Sequence, residues 1–203
     1  MLYNATRKTR GAAARTDIGC VAAAEVIIMA KKKGFIHVLT GNGGGKTTSA
    51  LGVAMRSIGQ GHRVVVVQFM KGRTDIGEVK IQKRLGDNYN VYPFGTKRFV
   101  DLRHPSEQDV VLANEALGFA KEEILEKDPP HLLILDEINL AAAIGLIEVP
   151  KVTDMLKKVP KGTDVYLTGR RAPKEFMAMA DYVTSVEDKK RVKLISARRG
   201  IDY

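Results

Sequence analysis

A chain of 203 residues is long enough for one domain with a sizeable core. Its 44% hydrophobic and 28% charged content is that of a soluble globular protein, and no uninterrupted apolar stretch approaches the roughly 18 residues that span a bilayer. A single cysteine, Cys20, excludes an internal disulfide and a Cys-rich metal site, and it fits a reducing cytoplasm.

The formal net charge is +10, and half of it lies in residues 1–33, where seven basic residues meet two acidic ones. Charge concentrated this way is weak support for a nucleic-acid surface. An anionic small ligand such as ATP explains a modest positive field equally well. The same segment has an Ala-rich, Arg-dotted start like a transit peptide and an apolar run at 20–30, interrupted by Glu25, like a signal sequence. Met29 opens "MAKKKGFIHVLTG" as an alternative start. The favoured reading is a basic tail, 1–33, outside a single nucleotide-binding domain, 34–203. That tail is either disordered or a helix over about 19–31 that covers a ligand or a neighbouring subunit.

In chain order, "FIHVLT" (35–40) is a short buried strand. "GKTTSALGVAMRSIGQG" follows as a helix with Leu51, Met55 and Ile58 on one apolar face and glycines at its end. "RVVVVQFM" (63–70) is a nearly continuous apolar run, the pattern of a strand covered on both faces of a parallel sheet. "VYPF" (91–94) is a weaker strand. "HPSEQDVVLANEALGFAKEEILEKD" is the longest helix, with Ser106 as N-cap, Asp109 close to a capping box, and a stripe of Val110, Ala113, Leu117, Ala120 and Ile124. "PPHLLILDE", "TDVYLTG" and "YVTSV" supply three more strands. Strands alternating with helices predict an α/β, three-layer architecture with a mostly parallel sheet.

"LTGNGGGKTT" carries the chemistry. A Walker A loop reads G-x-x-x-x-G-K-[ST], and Gly45, Lys46 and Thr47 end it, but Thr40 stands where the first glycine belongs. The strand–loop–helix context is right. Glycines 41, 43, 44 and 45 let phosphate approach backbone N–H groups at a helix N-terminus. Lys46 adds a full positive charge, Thr47 a hydroxyl for Mg²⁺, and Thr48 a further hydroxyl. About 90 residues on, "HLLILDE" ends a buried strand in Asp136 and Glu137, the place of a Walker B carboxylate. Together the two motifs predict ATP or GTP binding. Lys71, just past a strand end, is placed to contact nucleotide or another bound ligand. His37, His62, His104 and His131 show no metal-ligand spacing.

Four further stretches go beyond nucleotide binding: "QFMKG" (68–72), "LDEIN" (135–139), "LTGRRAP" (167–173) and the terminal "RRGIDY". In this order and spacing the chain resembles the P-loop class of ATP:corrinoid adenosyltransferases from about Phe35 to Tyr203. The family's loop typically reads T-G-N-G-K-G-K-T-T, so Thr40 is a family trait. The resemblance implies a RecA-like P-loop fold and a cytoplasmic homodimer. It also implies transfer of the 5′-deoxyadenosyl group of ATP to Co(I) of a reduced corrinoid, with release of triphosphate. ATP then lies in the loop opposite to its orientation in ordinary triphosphatases. Mg²⁺ or Mn²⁺ serves as cofactor, and an electron-donating flavoprotein reductase supplies Co(I). The residues it points to are Asn42 and Arg170 for ATP and Phe99 for the corrin side, with Lys71 a candidate there. Lys46, Thr47 and Glu137 carry catalysis, the metal sits on Thr47 and Glu137, and Asp136 joins it from behind a ligand or through water. Gly44 departs from the family's common lysine, the chain has no tryptophan, and Lys193 stands near where a Lys-His pair is frequent. Two other readings are an ATPase of RecA-like type that binds nucleic acid and a P-loop small-molecule kinase. Few aromatics and a localised basic tail speak against the first, and only Arg170-Arg171 speaks for the second.

Overall fold

The computed structural model describes residues 34–98, 100–192 and 197–201. The expected tail, the corrin-side candidate Phe99 and Lys193 lie outside the described residues.

Six strands form one sheet: β1 (Ile36–Thr40), β2 (Val64–Phe69), β3 (Tyr89–Phe94), β4 (Leu132–Asp136), β5 (Asp164–Thr168) and β6 (Tyr182–Ser185). Their order is β3-β2-β4-β5-β1-β6 and every pairing is parallel. The chain is therefore α/β with helices on both faces, as the alternation of motifs predicts. β2 and β4 are buried along their whole lengths, which is why both read as unbroken apolar runs. β6 is an exposed edge, so its sequence signal is correspondingly weak.

Strand parity divides the core into two halves. Val65, Val67, Leu133 and Leu135 face one side, under α4 (Glu107–Phe119) with its π-helical extension Ala120–Glu126, α5 (Ile138–Ala143), α6 (Val149–Leu156) and α7 (Lys174–Met179). Val64, Val66, Leu132 and Ile134 face the other, under α1 (Lys46–Gly59), α2 (Gly77–Lys80) and α3 (Gln82–Leu85).

Two helix faces differ from expectation. On α1 the buried positions are Lys46, Ala50, Ala54 and Ser57, while Met55 is 57% exposed and Leu51 and Ile58 flank the contact. The helix starts at the phosphate loop, so the loop sets its rotation, and two alanines leave room for close approach to the sheet. On α4, Ala113, Leu117, Ala120 and Ile124 are buried as expected. Val110 is 40% exposed, and Ala116 and Leu125 join the core instead. The wider turn at 120–126 lets the adjacent Ile124 and Leu125 both face inward.

The capping box is complete. The Ser106 hydroxyl accepts the Asp109 N–H, and Asp109 Oδ2 accepts the Ser106 N–H at 2.9 Å. Ser106→Ala is expected to lower folding stability by about 1 kcal/mol in denaturant titration; an unchanged midpoint would contradict this role.

Candidate active site

Open parallel sheets bind ligands beyond the carboxyl ends of their strands, and the candidate residues gather there. The phosphate loop leaves β1 through Gly41 (φ 94°) and enters α1 through Gly45 (φ 98°), both in the left-handed region. A Cβ on Gly41 would also stand 2.4 Å from the Val186 carbonyl oxygen, so the loop lies directly against the segment after β6. Lys46 folds back into the loop. Its Nζ donates to the carbonyls of Gly41 (2.9 Å) and Gly43 (2.6 Å). Burial pulls its pKa below the ordinary lysine value, with Glu137 acting the other way.

Thr40 uses the side chain that a Walker glycine lacks. Its hydroxyl accepts the Ala172 N–H at 3.1 Å and so tethers the β5–α7 loop to the end of β1. Arg170 and Arg171 sit on that loop, both exposed, and Arg171 has a φ of 54°. The Arg170 charge reaches both Lys46 and Glu137. Asn42, Gly44 and Thr48 are exposed at the mouth of the loop, and the Thr48 hydroxyl donates to the Gly45 carbonyl.

Asp136 is fully buried at the end of β4. Its Oδ1 accepts the hydroxyls of Thr47 (2.8 Å) and Thr168 (2.7 Å), and its Oδ2 accepts Lys71 Nζ (2.6 Å) and the Gln68 amide (3.4 Å). Burial opposes its charge, but the Lys71 ammonium and the hydroxyl donors outweigh burial and hold the carboxyl below its usual value. The same pair raises Lys71 above the ordinary lysine value despite desolvation. Both oxygens of Asp136 are thus engaged by protein donors. Lys71 lies against Asp136 and Thr47.

Glu137 is different. It takes a left-handed backbone (φ 66°), and its N–H donates to Thr168 Oγ1 at 3.1 Å. Its Oε2 is buried without a hydrogen-bond partner among the described residues. Burial raises its carboxyl above the ordinary value, only partly offset by Lys71 and Lys46.

Sequence reasoning did not single out four participants. Thr168 and Gln68 sit inside motifs read for other letters. Asn139 Nδ2 lies within hydrogen-bond distance of the Leu39, Leu167 and Gly169 carbonyls and ties β1 to β5; "LDEIN" carried that signal. Asp188 carried none. The Gly44 N–H donates to its Oδ1 at 3.1 Å and the Gly43 N–H to the Val186 carbonyl at 2.8 Å, so protein acceptors hold two N–H groups of the phosphate loop.

A sequence model of the family described as ATP:corrinoid adenosyltransferase BtuR/CobO/CobP matches residues 32–203. The chain belongs to the ATP:corrinoid adenosyltransferase family. A corrinoid adenosyltransferase of Sinorhizobium sp is 37% identical over 89% of this chain and 87% of its own length. One from Escherichia coli (strain K12) is 32% identical, covering 85% and 87%. One from Pseudomonas aeruginosa is 30% identical, covering 85% of each. As a member of this adenosyltransferase family the chain has a P-loop-type fold, and Thr40 is a position where its loop departs from the general nucleotide-binding pattern with a structural task of its own.

A carboxyl whose pKa is raised in the folded state favours the protonated folded form. Its contribution to stability is full below the ordinary carboxylate range and is lost as pH rises through the raised value. Glu137→Gln removes that titration. In thermal melts without ligand, the variant is expected to melt above the wild type at neutral pH, with the gap closing as pH falls to about 4. A gap independent of pH would contradict the burial of this charge.

Proposed function

We propose that this chain transfers the 5′-deoxyadenosyl group of ATP to the Co(I) centre of a reduced corrinoid and releases triphosphate, in adenosylcobalamin biosynthesis or salvage. Family membership over residues 32–203 carries the reading, and the paired phosphate loop and Walker B carboxylates support it. Neither a nucleic-acid-binding ATPase nor a small-molecule kinase gains support from that membership.

The substrate Co(I) attacks C5′, the C5′–O bond breaks, and its electron pair leaves with the triphosphate. The nucleophile arrives formed, so the protein's work is positioning and stabilising the leaving group. Lys46 and the N–H groups of the loop take the phosphates, with Gly41, Asn42, Gly43, Gly44, Gly45, Thr47 and Thr48 forming the cradle and Arg170 closing it from the β5–α7 loop. A phosphate oxygen at the Gly44 N–H displaces Asp188, so binding moves the segment after β6.

The residues present fit a divalent cation: Thr47 carries a hydroxyl held on Asp136, and the residue after Asp136, Glu137, has a buried Oε2 with no partner among the described residues, a hard-oxygen set that suits Mg²⁺ or Mn²⁺. When bound, the ion neutralises the triphosphate charge. Asp136 would act on the ion through the Thr47 hydroxyl that it holds.

For the corrinoid, we infer a place at the end of β3. Thr96, Lys97, Arg98, Asp101 and His104 line an open depression of about 720 Å³ there, next in sequence to Phe99. Gly95 lines it as well and packs against the backbone of Lys71, so the depression adjoins the nucleotide site. A homodimer, a cytoplasmic setting and a flavoprotein electron donor complete the reading. No helix among the described residues is long and apolar enough to cross a membrane.

The test is an anaerobic assay with ATP, Mg²⁺ and chemically reduced cob(I)alamin, followed by visible spectroscopy. Formation of a light-sensitive alkylcobalamin, reduced at least about 100-fold in Lys46→Ala, is expected. No product from cobalamin or a cobinamide precursor, with ATP binding confirmed, would overturn the assignment.

A further inference from the structure

The nucleotide site contains a lysine that the phosphate loop does not supply. Lys71 reaches Asp136 Oδ2 at 2.6 Å and lies 3.4 Å from Thr47 Oγ1. Its delivery is built into the backbone. Met70, the residue before it, has φ 59°, a conformation that L side chains rarely adopt. After it, the chain crosses the end of β3 so closely that a Cβ on Gly72 would stand 2.1 Å from the Gly95 carbonyl oxygen. A Cβ on Gly95 would stand 2.4 Å from the Lys71 nitrogen. Backbone strain that persists is over-determined by its surroundings and concentrates at working sites. Here the strain and the crossing aim one ammonium at one carboxylate.

The electrostatic setting explains why. Three carboxylates, Asp136, Glu137 and Glu78, act on the Lys71 ammonium. Lys46 and Arg170 are the other cations whose fields reach Glu137. A triphosphate carries several negative charges. An uncompensated Asp136, buried and one hydroxyl away from the first turn of α1, would repel it in a medium where charges are poorly screened. Yet Asp136 cannot simply be absent, because it holds Thr47 and Thr168.

We infer that Lys71 is a positioning residue of the triphosphate site: its ammonium cancels the charge of Asp136, so that the carboxylate can hold Thr47 without repelling the polyanion. The inference rests on the reading of this site as a triphosphate cradle. It assigns Lys71 an indirect task, distinct from the direct phosphate contact of Lys46. It also keeps Asp136 from capturing a divalent cation on its own.

A double-mutant cycle on the full chain tests it, with inorganic triphosphate and Mg²⁺ in a calorimeter. Lys46→Ala serves as the control that the loop binds the probe, which separates failure of the inference from failure of the cradle reading. Lys71→Met is expected to weaken triphosphate binding by about tenfold or more in the wild-type background and by about threefold or less when Asp136 is Asn. Equal losses in both backgrounds would mean that Lys71 touches phosphate directly, and would overturn the neutralising role, as would no loss at all.

Mn²⁺ binding without nucleotide, read by electron paramagnetic resonance, gives a signal that structural damage cannot create. Lys71→Met is expected to bind Mn²⁺ more tightly than the wild type, and Lys71→Met/Asp136→Asn is expected not to. A Lys71→Met chain that binds no more Mn²⁺ than the wild type overturns the inference. If Lys71→Met does not fold, the double variant decides. Triphosphate affinity like that of Asp136→Asn is expected, and a folded double variant that does not bind overturns the proposal.

Discussion

The Asp136 carboxylate is the point on which the site depends. It ends β4 with no solvent exposure, so its charge has to be met by protein donors. The donors come from four places: Thr47 on the first turn of α1, Thr168 at the end of β5, Gln68 near the end of β2, and Lys71 just beyond it. One side chain thereby fixes the first turn of the phosphate helix relative to three central strands. Removing any one donor leaves a buried charge partly unmet, which is far costlier than removing an exposed contact.

Around that anchor the chemistry divides by neighbour. Asp136 is saturated, and Glu137, one residue on, has a buried oxygen with no partner among the described residues and a left-handed backbone. The first is met by protein donors, and the second keeps an oxygen that, on the proposed reading, meets a ligand. Lys46 rests on two loop carbonyls, while Asp188 and Val186 occupy loop N–H groups. Two N–H groups of the loop are therefore already met by protein acceptors, and on the proposed reading a triphosphate enters by exchange of partners. Such a loop suits a reaction in which the whole triphosphate is the leaving group, because its task is to gather charge along the chain of phosphates.

The fold was legible because its strongest signals are local. Val64–Phe69 and Leu132–Asp136 are buried on both faces, and full burial writes itself as an unbroken apolar run. Ser106 and Asp109 announced a helix start through a contact three residues long. The face of α1 was misjudged because Met55 fits a helical period, whereas the loop and the two alanines set the rotation. The site was legible in that two short motifs bring Lys46, Thr47, Asp136 and Glu137 together at the carboxyl end of the sheet. It was not legible where the partner is remote: Thr40 meets Ala172 across 132 residues and Gly44 meets Asp188 across 144. Lys71 was visible as a lysine past a strand end, but the strand pairing decides which carboxylate it faces.

The central claim is that the loop holds the triphosphate as one intact leaving group. The direct measurement is phosphorus NMR of the products of a single anaerobic turnover with ATP, Mg²⁺ and cob(I)alamin. The account predicts inorganic triphosphate as the first phosphorus product, formed in equal amount with the alkylcobalamin. ADP and phosphate, or diphosphate and phosphate with no triphosphate stage, would contradict it and return the loop to ordinary phosphoryl chemistry.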